Sequence, residues 1–169
     1  MTLSLLVTMV LPAGAVDYAG GSGTRNDPYL IATAQQLKNF RDQVNAGDRD
    51  LCASLIANVD LAGQDWDPIG LSSSGYVGTF EGNGYAIRNL KISRLSAGTS
   101  TGGSTLWGGG LFGIVGKGGV VRGLNVDGTI STQDTVSHHP DIGAIAGGNL
   151  GTIEECFATV TLRDFHLTV

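Results

Sequence analysis

Three stretches of this chain share one apolar spacing, and that spacing limits the fold more than any other feature. They are YAIRNLKI (85–92), GVVRGLNVDG (119–128) and GTIEECFATV (151–160). Aligned, Ile87, Leu90 and Ile92 fall with Val121, Leu124 and Val126, then with Ile153, Cys156 and Ala158. Each reads apolar-x-x-apolar-x-apolar. Inward residues of a straight strand lie two apart, so a gap of three marks a corner between two short strands. Such a unit has no means of burying its own face and must stack on copies of itself.

The glycines agree with that reading. There are 27 in 169 residues, with no three-residue period, which excludes a collagen-like helix. They cluster at GGGLFG (108–113) and GAIAGGN (143–149), ahead of the second and third units. Corners and closely approaching backbones call for glycine there. GGGLFG formally fits a dinucleotide fingerprint, but that loop must open a helix, and IVGKGGVVRG behind it has no helical period. GIVGKGG lacks the Ser or Thr that follows the lysine of a phosphate loop. Asn83-Gly84 reads either as a hairpin turn or as a corner with Asn83 left-handed; the repeat favours the corner.

One helix is expected, from Ala34 to Ala46. Thr33 and Gln36 form a capping box. Leu37, Phe40 and Val44 make one apolar stripe, and Gly47 stands where a helix stops. After it, LCASLIANVDL (51–61) alternates like a half-buried strand. LSAGTSTGGSTLWGG (95–109) and STQDTVSHHPD (131–141) read as loop insertions.

The first residues, MTLSLLVTMVLPAGA, carry an apolar run too short to span a bilayer, then Ala13-Gly14-Ala15. That is the pattern of a signal peptide over 1–15, although no Lys or Arg precedes Arg25. The expected organisation continues with a lead-in at 16–32, a capping helix at 33–47, a repeat domain at 48–162 and a truncated C-terminal segment at 163–169. Charged residues are 15% and hydrophobic residues 41% of the chain, a balance that folds. A formal net charge of −5 argues against a nucleic-acid partner. No membrane insertion is expected once the signal is removed. Cys52 and Cys156 form no C-x-x-C motif. They either pair after export or pack as small apolar residues.

WDPIG (66–70), YVGTFEGNGYAIRNLKI (76–92), GLFGIVG (110–116) with VVRGLNVDG (120–128), and GAIAGGNLGTIEECFATVTL (143–162) resemble GLUG-motif bacterial cell-surface proteins. The resemblance covers about Tyr18 to Leu162, and the motif itself falls at 143–159. With the repeat, it implies an all-β chain: a right-handed parallel β-helix (a β-solenoid) with one N-terminal helix across its open end. It further implies a secreted or cell-surface location, an adhesin-like role, no catalytic residues and no cofactor.

The expected function is therefore an exported, non-catalytic structural or adhesion module that displays loops 95–109 and 131–141. Its expected partners are an extracellular glycan or a host or cell-surface protein, with further domains of a longer chain at the C-terminus. Trp107 and Tyr76 are the candidate ligand contacts; Trp66 is expected to pack, and Cys156 to be a core residue. The rival is a carbohydrate-active enzyme or carbohydrate-binding module acting on extracellular polysaccharide. An enzyme would use Asp60, Asp65, Asp67 and Glu81, and it would gather carboxylates and basic groups in one groove. Arg88 and Arg122 are expected at equivalent outward positions. Asp65 and Asp67 offer oxygen ligands for calcium. His138 and His139 are adjacent and would point opposite ways in an extended segment.

Overall fold

The computed structural model describes residues 17–93, 96–99, 105–131 and 141–163. The expected signal peptide at 1–15, residues 132–140 of the second expected insertion with His138 and His139, and most of the 163–169 segment lie outside them.

In chain order the elements are β1 (Tyr29–Ile31), α1 (Ala34–Ala46), β2 (Ala53–Leu55), β3 (Val59–Asp60), β4 (Thr79–Glu81), β5 (Ala86–Ile92), β6 (Ser96–Thr99) and β7 (Thr105–Gly109). They continue with β8 (Phe112–Val115), β9 (Val120–Arg122), β10 (Asn125–Ser131), β11 (Asp141–Ile142), β12 (Ala146–Asn149), β13 (Thr152–Glu154) and β14 (Phe157–Arg163).

Consecutive units add strands in parallel. One sheet runs β1-β2-β4-β9-β13 and a second runs β14-β10-β5-β3. β12 pairs with β8 in a third, and β11-β7-β6 form a fourth. Register holds the inward residues in columns: Phe80, Val121 and Ile153 in the first sheet, and Ile87, Val126 and Ala158 in the second.

The step from one sheet to the next is made by a left-handed residue. Gly123 has φ 60° and Glu155 φ 52° at the second x of apolar-x-x-apolar, and Asn83 has φ 51° in the preceding unit. β4 and β5 pair with other strands and not with each other, so Asn83-Gly84 is a corner and not a hairpin. Gly128 meets a different need: a Cβ there would collide with the Leu90 carbonyl oxygen on β5.

The helix forms as its caps direct. Thr33 Oγ1 accepts from Gln36 N at 3.2 Å, and Gln36 Oε1 accepts from Ala32 N at 2.8 Å. Leu37, Phe40 and Val44 are buried in the core that the sheets share. Phe40 lies 5.9 Å from Tyr76 and 5.8 Å from Phe80, and both of those rings meet Phe112, at 5.4 and 5.5 Å. Such tilted and edge-on contacts add to the apolar burial.

Several expectations are corrected here. The all-β right-handed parallel β-helix gives way to a mixed arrangement: four separate sheets around a core that includes a helix. The repeat spacing reports parallel pairing but is blind to α1 as a core element. It is equally blind to β6 and β7, which pair antiparallel within the supposed loop 95–109. The first repeat is also out of step, because Ile87 aligns with Val126 rather than Val121. Phe80 to Ile87 is two residues longer than Val121 to Val126, and the corner at Asn83-Gly84 absorbs the difference. The stretch 51–61 is two short strands, β2 and β3, with Ile56 exposed between them.

Candidate functional site

The polar surface is organised by the stacking of the units. Glu81, Arg122 and Glu154 share one register across β4, β9 and β13. Arg122 Nε donates to the two Glu81 oxygens at 2.8 and 2.7 Å, and its Nη2 lies 2.6 Å from Oε1. Its Nη1 is 3.8 Å from Glu154. The Glu81 carboxylate that accepts these bonds holds the guanidinium above its ordinary pKa. Arg88 is not equivalent to Arg122 as expected: it lies on β5 opposite Asp60, in the other large sheet.

A second cluster surrounds Asn89, itself left-handed with φ 55°. Asn89 Nδ2 donates to Asp60 Oδ1 at 2.9 Å, and Asn89 N donates to Asp127 Oδ1 at 2.9 Å. Asp60 also accepts from Ala62 N at 2.7 Å. These bonds, the Asn89 amide first, hold the Asp60 carboxyl below its ordinary range.

Of the four candidate carboxylates, Asp60 and Asp65 lie beside β5, opposite Arg88 and Lys91, and Glu81 lies in the other large sheet. Asp60 lies on β3, Glu81 on β4, and Asp65 and Asp67 in the segment between those strands. Asp65 lies 3.5 Å from Lys91, and both are about half exposed. Among the described residues, no three His, Cys, Asp or Glu side chains gather closely enough to hold a metal ion.

Tyr76 is not a ligand contact. It is fully buried and donates from its hydroxyl to Leu51 O at 2.9 Å. Burial also pushes its hydroxyl pKa up. Trp107 lies on β7 opposite Ala97; its side chain is outside the described residues. Trp66 packs in the core, donates to Leu111 O at 3.1 Å, and carries the Arg41 guanidinium 4.9 Å above its ring. GGGLFG is no nucleotide loop: it leads into β8, which pairs with β12.

Cys52 and Cys156 are both free. Cys156 stacks on the Leu124 position and is half-buried, and that burial raises its thiol pKa. A recess of about 400 Å3, which spacing alone did not indicate, is lined in part by Arg25, Asp50 and Cys52. No helix among the described residues is long and apolar enough to cross a membrane.

No family model matches the chain. Two curated proteins resemble it. One, from Evansella cellulosilytica, is described as "Putative Gly-rich membrane protein"; it is 37% identical over 144 residues, which is 81% of this chain and 15% of that protein. The other is "Halomucin" of Haloquadratum walsbyi, 30% identical over 154 residues, covering 85% of this chain and 2% of that protein. The chain therefore spans a small part of either relative. Among solved structures, a crystal structure of "a putative immunoglobulin A1 protease" from Bacteroides ovatus matches 89% of this chain and 63% of its own, with TM-score 0.53 and 22% identity. That likeness concerns the fold alone.

Proposed function

We propose that this chain is a non-catalytic structural or adhesion module of an exported surface protein, of the GLUG-motif kind. It acts outside the cell or at its membrane, and it displays segments such as the β6–β7 pair and residues 131–141 to an extracellular glycan or a cell-surface protein. One observation carries the reading. Two of the four carboxylates an enzyme would use are engaged by the scaffold, Glu81 by Arg122 and Asp60 by Asn89 and Ala62. The descriptions of the two relatives, a membrane protein and a halomucin, support the location.

The test incubates Val16 to Val169 with a panel of bacterial and host polysaccharides, with and without calcium. The expected result is retention on at least one polymer or on a host surface, with no new reducing ends. Cleavage of any polymer by folded protein, abolished by Asp60→Asn or Glu81→Gln, overturns the reading in favour of a carbohydrate-active enzyme.

A further inference from the structure

Three backbone segments meet around the recess of about 400 Å3. The first is 22–27, held by Ser22 N and Thr24 N, which donate to Asp27 O at 3.0 and 3.2 Å. The second is 50–52, ahead of β2, tied to the first by Cys52 N donating to Gly23 O at 2.7 Å. The third is Val77-Gly78, ahead of β4, whose amides donate to Arg49 O at 2.9 and 3.1 Å. The Tyr76 hydroxyl joins the second and third through its bond to Leu51 O. A Cβ on Gly78 would collide with that same carbonyl, so the two segments approach this closely because position 78 has no side chain. The walls are therefore set before any ligand arrives, which lowers the cost of binding.

The lining side chains divide by character. Cys52 is buried, and Leu51 and Val77 are half-buried, so the floor is apolar. Arg25 and Asp50 are exposed on the rim. Among the described residues, neither of these two side chains makes a hydrogen bond or an ion pair. A guanidinium and a carboxylate thus face one recess without neutralising each other. The Arg25 charge is felt inward as well: it opposes the rise that burial imposes on the Tyr76 hydroxyl pKa.

This pattern selects a chemistry. A guanidinium takes a carboxylate in a planar fork. A carboxylate accepts from hydroxyls. An apolar floor takes a face of C–H groups. A hexuronate, the acid form of a hexose, carries all three: a carboxylate on one side of its ring, vicinal hydroxyls on the other, and C–H groups on its face. A neutral sugar would leave Arg25 without a partner. The volume falls in the range of small-ligand sites.

We propose that this recess binds a hexuronate unit of an acidic extracellular polysaccharide. Arg25 forks the carboxylate, Asp50 accepts from the vicinal hydroxyls, and Leu51 and Val77 lie against the ring. The assignment rests on the reading of an extracellular glycan as the partner of this chain.

The test titrates the full chain with oligomers of galacturonate, glucuronate and mannuronate, and with a neutral glucose oligomer of equal length. Calorimetry reads affinity and NMR reads the backbone amides. The expected result is saturable binding of at least one uronate oligomer, none of the neutral one, and shifts concentrated at the Gly23, Cys52 and Gly78 amides. Arg25→Met is expected to weaken binding about tenfold or more, and Asp50→Asn by a smaller factor. Both positions are exposed, so unchanged thermal midpoints confirm that the variants fold. Uronate binding that survives Arg25→Met, or that shifts amides elsewhere, overturns the proposal. If no uronate binds while the chain is retained on another polymer or on a host surface, the recess assignment fails and the adhesion reading stands. If nothing is retained at all, both fail.

Discussion

Phe40 on α1 and Phe80 on β4 meet with ring centroids 5.8 Å apart and planes tilted 56°, so the helix and the five-stranded sheet share one core. Both rings are fully buried. Phe40→Ala is expected to destabilise the chain by about 3–5 kcal/mol, as lost transfer energy and an unfilled cavity add together. Gln35→Ala, on the exposed face of the same helix, is expected to stay within about 0.5 kcal/mol. Denaturant titrations of the two variants check both. A small loss at Phe40 would mean that α1 is peripheral to the core.

Glu155 occupies a left-handed corner, φ 52°, that its counterpart Gly123 occupies at φ 60°. A left-handed L-residue costs roughly 1–2 kcal/mol, and glycine's chain entropy offsets roughly 0.5–1 of that. Glu155→Gly is therefore expected to stabilise by up to about 1 kcal/mol, and Gly123→Ala to destabilise by a similar amount. The Gly123 site has room for a Cβ, the nearest atom being Asn83 N at 3.5 Å, so the second effect is conformational. Thermal midpoints moving in opposite directions are the expected readout.

Asp60 carries a pH-dependent share of stability. Its folded carboxyl is held below the unfolded value by Asn89 and Ala62. The folded state therefore holds its proton less tightly than the unfolded chain. The contribution is present above the unfolded pKa and is lost as pH falls through the folded one, below about pH 4. Asp60→Ala is expected to lower the thermal midpoint at pH 7, with the gap to the unsubstituted protein closing in acid. A gap independent of pH between 2 and 7 would show that the carboxylate charge is not what stabilises the corner.

Local patterns were legible where one residue decides one event. The stripe Leu37, Phe40, Val44 between Thr33 and Gly47 marks α1, and the registers Val121↔Ile153 and Val126↔Ala158 follow from apolar spacing. Three features were not legible. The paired strands β6 and β7 read SAGT and TLWGG, which show no apolar alternation. Tyr76 looks like a surface aromatic between glycines and serines, but it packs against Phe40 and Phe112, both distant in sequence. The columns of Glu81, Arg122 and Glu154 become visible only once the two-residue excess of the Asn83 corner is known. The acidic residues invited a catalytic reading for the same reason, since closeness in sequence does not show that Asp60 and Glu81 fall on different sheets.

Asn83 combines a backbone role and a side-chain role that substitutions can separate. Its φ of 51° is a conformation glycine and asparagine tolerate best. Its Nδ2 donates to Ser54 Oγ at 2.7 Å and to Leu55 O at 2.9 Å, clasping β2 from the corner of the next unit. Asn83→Gly keeps the backbone and loses both bonds, and is expected to cost about 1–2 kcal/mol. Asn83→Ala loses the bonds and also strains the backbone, so a further loss of roughly 1 kcal/mol is expected. Asn83→Asp keeps the shape but turns both donors into acceptors facing the Leu55 carbonyl, so it is expected to fall below Asn83→Gly at pH 7 and to recover part of the loss in acid. Equilibrium unfolding of the three variants gives the order. If Asn83→Gly matched the unsubstituted protein, the corner would be held by its backbone alone, and the clasp on β2 would contribute nothing.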